Sequence, residues 1–136
     1  MTAVKDDADN IVGYERRYHN DNGDITRLDR YDADQSYQSY VLYTYDDDGR
    51  LYTETTYAAN GIGQSSIVYT YDDDGRLSQK AYEYPHSATV ELYGSDGNVI
   101  EKQYYDNNNR LSYREVMEDG AWVRYEPTEP PTEETE

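Results

Sequence analysis

Asp46, Asp47 and Asp48, and again Asp72, Asp73 and Asp74, are the residues of this sequence that most invite chemistry. Oxygen ligands in a row suit calcium, which takes about six to eight of them. The spacing argues otherwise. An EF-hand draws ligands from alternate positions of a long loop, and the calcium-binding β-roll repeat needs a different glycine pattern. Between two strands, one aspartate of each triplet would cap a turn and the others would face water. The triplets are therefore read as turn residues, and no metal site or cofactor is expected. A diffuse attraction of divalent cations to the whole acidic surface fits better. Arg50, Arg76 and Arg110 each follow a turn residue. They could contact an anion or glycan, but a local pair with the turn aspartates is favoured, worth about 0–1 kcal/mol when exposed. The two histidines, His19 and His86, fall at turns. A Ser-His-Asp site can be written with Ser87 or Ser95, yet no nucleophile elbow supports it. Paired carboxylates could serve a glycosidase, but with 29 acidic residues some pair is close in any fold. No catalytic residue is expected, and the chain is read as not an enzyme.

The tyrosines are the better candidates for binding. There are 18 of them. Tyr37, Tyr40, Tyr43 and Tyr45 crowd one segment, with Tyr52, Tyr57, Tyr69, Tyr71, Tyr82 and Tyr84 on its neighbours. If one sheet face forms a core, tyrosines on the other could make a flat aromatic ladder that stacks on sugar rings or anchors a protein. Cross-strand packing within a thin sheet is the competing account. The binding set is Tyr40, Tyr43, Tyr45, Tyr52, Tyr69, Tyr71, Tyr82 and Tyr84, for a carbohydrate or protein ligand.

The elements that would position these residues follow from a repeat. Tyr43-Thr-Tyr-Asp-Asp-Asp-Gly-Arg-Leu51 recurs as Tyr69-Thr-Tyr-Asp-Asp-Asp-Gly-Arg-Leu77. Looser copies surround Gly23, Gln35, Gly61, Gly97, Asn109 and Gly120. Aligned, they put turns at 23, 35, 49, 61, 75, 97, 109 and 120, with Pro85-His86-Ser87 where one further turn should fall. Turns at such short intervals are the signature of consecutive hairpins with strands of roughly six to eight residues. Asp-Asp-Gly favours a type I turn closed by a residue with positive φ. The turn residues are thus Asp48, Gly49, Arg50, Asp74, Gly75, Arg76, Gly97 and Asn109. Ile67, Tyr69 and Tyr71 share one face of their strand, and Lys80, Tyr82 and Tyr84 share a face of the next. No segment keeps a helical apolar period.

Composition sets the limits. Formal net charge is −17, from 12 basic and 29 acidic residues, which excludes nucleic acid and anionic membrane as partners. Only 19 residues are Leu, Ile or Val, and there is no Phe. So low an aliphatic content at this charge warns of disorder. The tyrosines and Trp122 answer the warning, because each aromatic buries on the order of 150–250 Å². No cysteine is present, which excludes disulfides and thiolate sites. No apolar run reaches the ~20 residues of a membrane span, so no membrane insertion is expected. No signal peptide is visible at Met1.

Tyr45 to Leu51 and Tyr71 to Leu77 both read Tyr-Asp-x-x-Gly-Arg-Leu, and Tyr105 to Leu111 matches with Asn109 for Gly. In this the chain resembles the YD-repeat family of Rhs-type and wall-associated bacterial proteins, over roughly residues 18–120. The resemblance implies β-hairpin sheets that coil into shells or stalks, secreted or displayed at the cell surface, with repeats that are not catalytic. The expectation is an all-β fold, an antiparallel meander of about nine or ten strands from Ile11 to Tyr125, forming a curved open sheet or partial β-shell. Residues 1–10 are expected to be flexible, 11–126 to form the repeat domain, and 127–136 (PTEPPTEETE) to be a disordered linker or tail. Exposed edge strands would leave the sheet open to self-association. The function expected is a non-catalytic, extracellular or surface-attached scaffold or adhesive. The alternatives are a segment of an Rhs-type toxin-encapsulating shell and, further off, a hydrolase of unknown type.

Overall fold

The computed structural model describes residues 1–127, so the tail from 128 to 136 lies outside the described residues. Eleven strands follow one another: β1 (Thr2–Lys5), β2 (Ile11–His19), β3 (Ile25–Asp32), β4 (Tyr37–Tyr45), β5 (Leu51–Ala58), β6 (Gly63–Tyr71), β7 (Leu77–Tyr84), β8 (Ser87–Tyr93), β9 (Val99–Tyr105), β10 (Leu111–Glu118) and β11 (Ala121–Tyr125). Their order in the sheet is their order in the chain. No helix occurs among the described residues. The all-β antiparallel meander expected from the repeat is the observed architecture, with ten strands between Ile11 and Tyr125. The chain divides into two compact units, Met1–Tyr69 and the part from Thr70 onward, and the boundary falls within β6.

The additional strand, β1, corrects the expectation of a loose start. Thr2–Lys5 pairs antiparallel with β2, Thr2 opposite Glu15 and Lys5 opposite Ile11. The physical reason is a hidden copy of the turn. Asp6 Oδ1 accepts the amides of Ala8 and Asn10 at 2.9 Å, and Asp9 takes the positive-φ place at 66°. An aspartate there, where the other loops mostly carry glycine, hid the hairpin.

Loop chemistry repeats down the chain. At Asp46–Arg50, the Gly49 amide donates to the Asp46 carbonyl and the Asp46 amide to the Arg50 carbonyl, both at 2.9 Å. This is a type I turn closed by a residue with φ of +80°, and the pairing of β4 with β5 shifts register between Thr44 and Tyr45. The same pair of backbone bonds closes the loops beginning at Asp6, Asn20, Asp32, Ala58, Asp72, Gly94 and Asp106. All eight turn positions expected from the repeat have positive φ. The hairpin at Asp119-Gly120 has positive φ at both residues, which defines the tight type I′ connection. Pro85 and His86 make the remaining two-residue turn, with Tyr84 opposite Ser87.

Burial is thin. Among the described residues, Leu28 (5 % exposed) and Val41 (2 %), direct partners on β3 and β4, are the buried apolar side chains, and Asp29 (5 %) is the buried charged one. With no helix among the described residues to pack on, side chains are covered mainly by neighbours on their own face. Long aromatic and charged side chains do that better than aliphatic ones. Tyrosine thus stands where another all-β domain would use leucine and valine.

Candidate functional site

Residues directly opposite one another on paired strands share a face. In the first unit one such row runs Arg16, Asp29, Tyr40, Tyr57, Gly63 from β2 to β6. Beside it runs Tyr14, Tyr31, Tyr37. Their rings form a ladder. Tyr31 meets Tyr37 at 5.4 Å, tilted by 50°. Tyr37 and Tyr40 are parallel within 4° at 6.3 Å, and Tyr40 and Tyr57 stack at 5.0 Å. At Gly63 the ladder ends with the Tyr57 ring lying over the glycine backbone.

Asp29 and Arg27 hold the ladder in place. They stand two apart on β3 and so on the same face as Tyr40. Arg27 Nε donates to Asp29 Oδ1 at 2.8 Å, and Arg27 Nη2 donates to the Tyr37 hydroxyl at 3.0 Å. The Tyr37 hydroxyl in turn donates to Asp29 Oδ1 at 3.1 Å. The Arg27 guanidinium sits 4.5 Å from the Tyr40 ring centroid, a cation–π contact. A nearly buried carboxylate must be paired, and here its partners are the groups that orient two of the four rings. Burial raises the Tyr37 hydroxyl above its ordinary pKa, opposed by the bond from Arg27, so it stays a neutral donor. The tyrosines are half-buried. The arrangement offers fixed aromatic edges and faces beside a cation that is itself pinned.

The second unit covers one of its faces differently. Lys80, Glu91, Lys102, Glu115 and Arg124 lie directly opposite one another across β7 to β11, alternating in sign. Tyr82, Thr89, Tyr104 and Tyr113 form the adjoining row on the same face. The Tyr82 and Tyr93 hydroxyls donate to Glu91 Oε1 at 2.9 and 3.2 Å, and Tyr104 donates to Glu115 Oε1 at 2.9 Å. Lys102 Nζ lies 4.9 Å over Trp122, and the Arg124 guanidinium 3.7 Å over Tyr113. Burial, with the neighbouring glutamate second, pushes the Tyr93 and Tyr104 hydroxyls up to about 12 and raises Tyr82 as well.

The tyrosines singled out from sequence do not gather on one face. Tyr40 belongs to the ladder. Tyr43 lies opposite Glu54 on the other face, where Tyr69 donates to Glu54 Oε1 at 2.6 Å. Tyr45 donates to the Ile25 carbonyl at 2.5 Å. Tyr52 is half exposed just past a turn, and Tyr84 is half exposed at the end of β7. Tyr71 ends β6, and Tyr82 serves Glu91. Sequence reasoning grouped Tyr37 and Tyr57 with the tyrosine-rich strands but left them out of the binding set, and it passed over Tyr31, Arg27 and Asp29. The signal was present. Once the turns are fixed, counting back along each strand places Tyr40 beside Tyr57 rather than beside Tyr43.

The turn residues behave as structural parts. Asp46 Oδ1 accepts the amides of Asp48 and Arg50, and Asp72 Oδ1 those of Asp74 and Arg76. These backbone bonds, led by the Arg50 and Arg76 amides, hold both carboxyls below the usual range. Arg50 pairs with Asp46 and Asp48, and Arg76 with Asp72 and Asp74. Gly97 and Asn109 supply positive φ. The Arg110 side chain forms no ion pair among the described residues, although its amide donates to Asp106. Among the described residues no three His, Cys, Asp or Glu side chains are arranged to hold a metal.

No protein-family model matches the chain, and no curated protein does. Solved structures that resemble it include a DUF3836 family protein from Parabacteroides distasonis ATCC 8503, at 14 % identity and a TM-score of 0.39, covering 71 % of this chain and 92 % of that one. A protein of unknown function from Bacteroides fragilis NCTC 9343 matches at 16 % identity and a TM-score of 0.29, covering 88 % of this chain and 92 % of that one. Likeness at this level carries no argument about what this chain does.

Proposed function

We propose that this chain is a non-catalytic, surface-attached or secreted binding module, a scaffold or adhesive that holds a glycan or protein against the tyrosine ladder of its first unit. The carrying observation is the run Tyr31, Tyr37, Tyr40, Tyr57 with ring spacings of 5.0–6.3 Å. A ladder already ordered by Arg27 and Asp29 loses little side-chain entropy on binding, which is where flexible contacts lose affinity. Rigid aromatics are also the residues that dominate binding hot spots. The acidic surface supports neutral or basic partners over anionic ones. The test is a pull-down on insoluble neutral polysaccharides and on bacterial envelope proteins, comparing the chain with its Tyr40→Ala and Tyr57→Ala forms. Retention that falls at least tenfold in both variants supports the ladder. Retention that is absent from the start, or equal in all three, removes it.

A second reading rests on the two full Tyr-Asp-x-x-Gly-Arg-Leu motifs at Tyr45–Leu51 and Tyr71–Leu77. On it, the chain is a segment of an Rhs-type toxin-encapsulating shell. Sequencing the neighbouring DNA separates the two: dozens of further repeats running into a new domain favour the shell, and a short reading frame with an export signal favours the module.

A further inference from the structure

At one end of the second unit the two-residue turn Pro85-His86 stands beside the five-residue loop Asp106–Arg110, since Ala88 pairs with Tyr105. The shorter turn leaves a step, and the step is a recess of about 280 Å³ lined by Glu83, Tyr84, His86, Asp106, Asn107 and Asn109 among others. Turn side chains elsewhere can pair with one another, as Arg50 does with Asp46 and Asp48. Asp106 uses Oδ1 on the amides of Asn108 and Arg110, and its Oδ2 carries no hydrogen bond among the described residues. The side chains of Glu83, Ser87 and Asn109 make none either among the described residues. The one polar side-chain contact across the recess is a 3.3 Å approach of His86 Nδ1 to Asn107 Oδ1. No lysine or arginine lines it.

The geometry points to a binding site for a single neutral sugar unit in this recess. Carboxylates and carboxamides side by side accept from and donate to adjacent hydroxyls, and the exposed groups here can do so without giving up a bond within the protein. Two carboxylates without a cation disfavour an anionic ligand. The volume lies at the small end of ligand pockets, which limits the occupant to about one ring. Tyr84, 48 % exposed, adds apolar surface at the rim. This site is separate from the ladder and does not depend on it.

The test is a nitrogen–proton NMR titration of the full chain with methyl glucoside, methyl galactoside and methyl mannoside, with sodium glucuronate and calcium chloride as contrasts. Expected are shifts of the amides of residues 84–88 and 106–110 with at least one neutral glycoside, at millimolar affinity. Asn107→Ala and His86→Ala should each weaken that affinity at least fivefold, while Asp21→Ala, at an exposed turn of the first unit, leaves it unchanged. Shifts with calcium or glucuronate but with no neutral glycoside would overturn the assignment, as would silence with all five. So would neutral-glycoside shifts that survive both recess substitutions.

Discussion

The two units solve one problem in two ways. Each is a hairpin sheet with wet faces, and each must order a face without a deep core. The first does so around one nearly buried carboxylate, Asp29, which gathers Arg27 and Tyr37. The second does so with a row of five alternating charges, Lys80 to Arg124, whose glutamates receive tyrosine hydroxyls and whose cations lie on rings. The turns are common to both, so the repeat fixes the strands and leaves each face free to diverge. A face hung on one carboxylate should be brittle and indifferent to salt. A face hung on a row of partly exposed charges should be more tolerant and more sensitive to it.

The largest expected effect breaks the first unit at its backbone. A Cβ on Gly13 would stand 2.7 Å from the Tyr31 carbonyl oxygen, and a paired strand cannot yield as a side chain can. Gly13→Ala should destabilise by about 3 kcal/mol, read as a lowered urea midpoint by circular dichroism. An unchanged midpoint would mean that β2 and β3 lie farther apart.

Next come the turns, where the units should agree. Gly49 and Gly75 have φ of +80° and +81°, and no atom lies within 4 Å of a Cβ built on Gly49. Gly49→Val and Gly75→Val should each cost about 2 kcal/mol, from backbone strain. Neutral substitutions at both would remove the equivalence of the turns, and a large effect at one alone would localise it to one unit.

How much of this was legible in the sequence follows the range of the physics. Turns are local: a loop needs a positive-φ residue, and glycine or asparagine announces it, so the turns at Gly49, Gly75, Gly97 and Asn109 could be placed without a structure. Asp9 and its strand escaped because aspartate in that place does not stand out. Faces are not local. Each bulge shifts the register, as between Thr44 and Tyr45, and a tyrosine's neighbours depend on counting through it. Tyr40 and Tyr43 were grouped by proximity in sequence, yet three residues apart on a strand with no bulge between puts them on opposite faces, whereas Tyr37, equally far from Tyr40, shares its face because the register shifts between Arg30 and Tyr31. Asp29 was beyond reach for another reason. Nothing local separates it from the other acids, and only its placement beside Arg27, Tyr37 and Tyr40 buries it.

Paired charge substitutions sharpen the contrast. Asp29→Ala should cost about 2 kcal/mol, because it strips Arg27 and Tyr37 of a partner that is out of water, and the loss should be the same at low and high salt. Glu115→Lys puts like charges opposite Lys102 and Arg124. It should cost about 1 kcal/mol and shrink in molar salt, where screening is strong. The same salt response in both would erase the distinction between the faces.

The smallest effect is a titration. Tyr93 and Tyr104 are held neutral up to about 12, against an ordinary tyrosine value near 10. Between those values the unfolded chain has released protons that the folded chain still holds. Stability is therefore complete below pH about 10 and falls as pH rises toward 12. Tyrosinate absorbance should show a late phase in the folded protein. Glu91→Gln removes a charge that accepts from both Tyr82 and Tyr93, so it should move part of that late phase to lower pH. The phase should not move all the way to 10, because burial is the larger cause for both hydroxyls. A return to the ordinary value would place the whole effect on Glu91 and leave the thin sheet doing no desolvation. A late phase that does not move would detach these tyrosines from the charge row altogether.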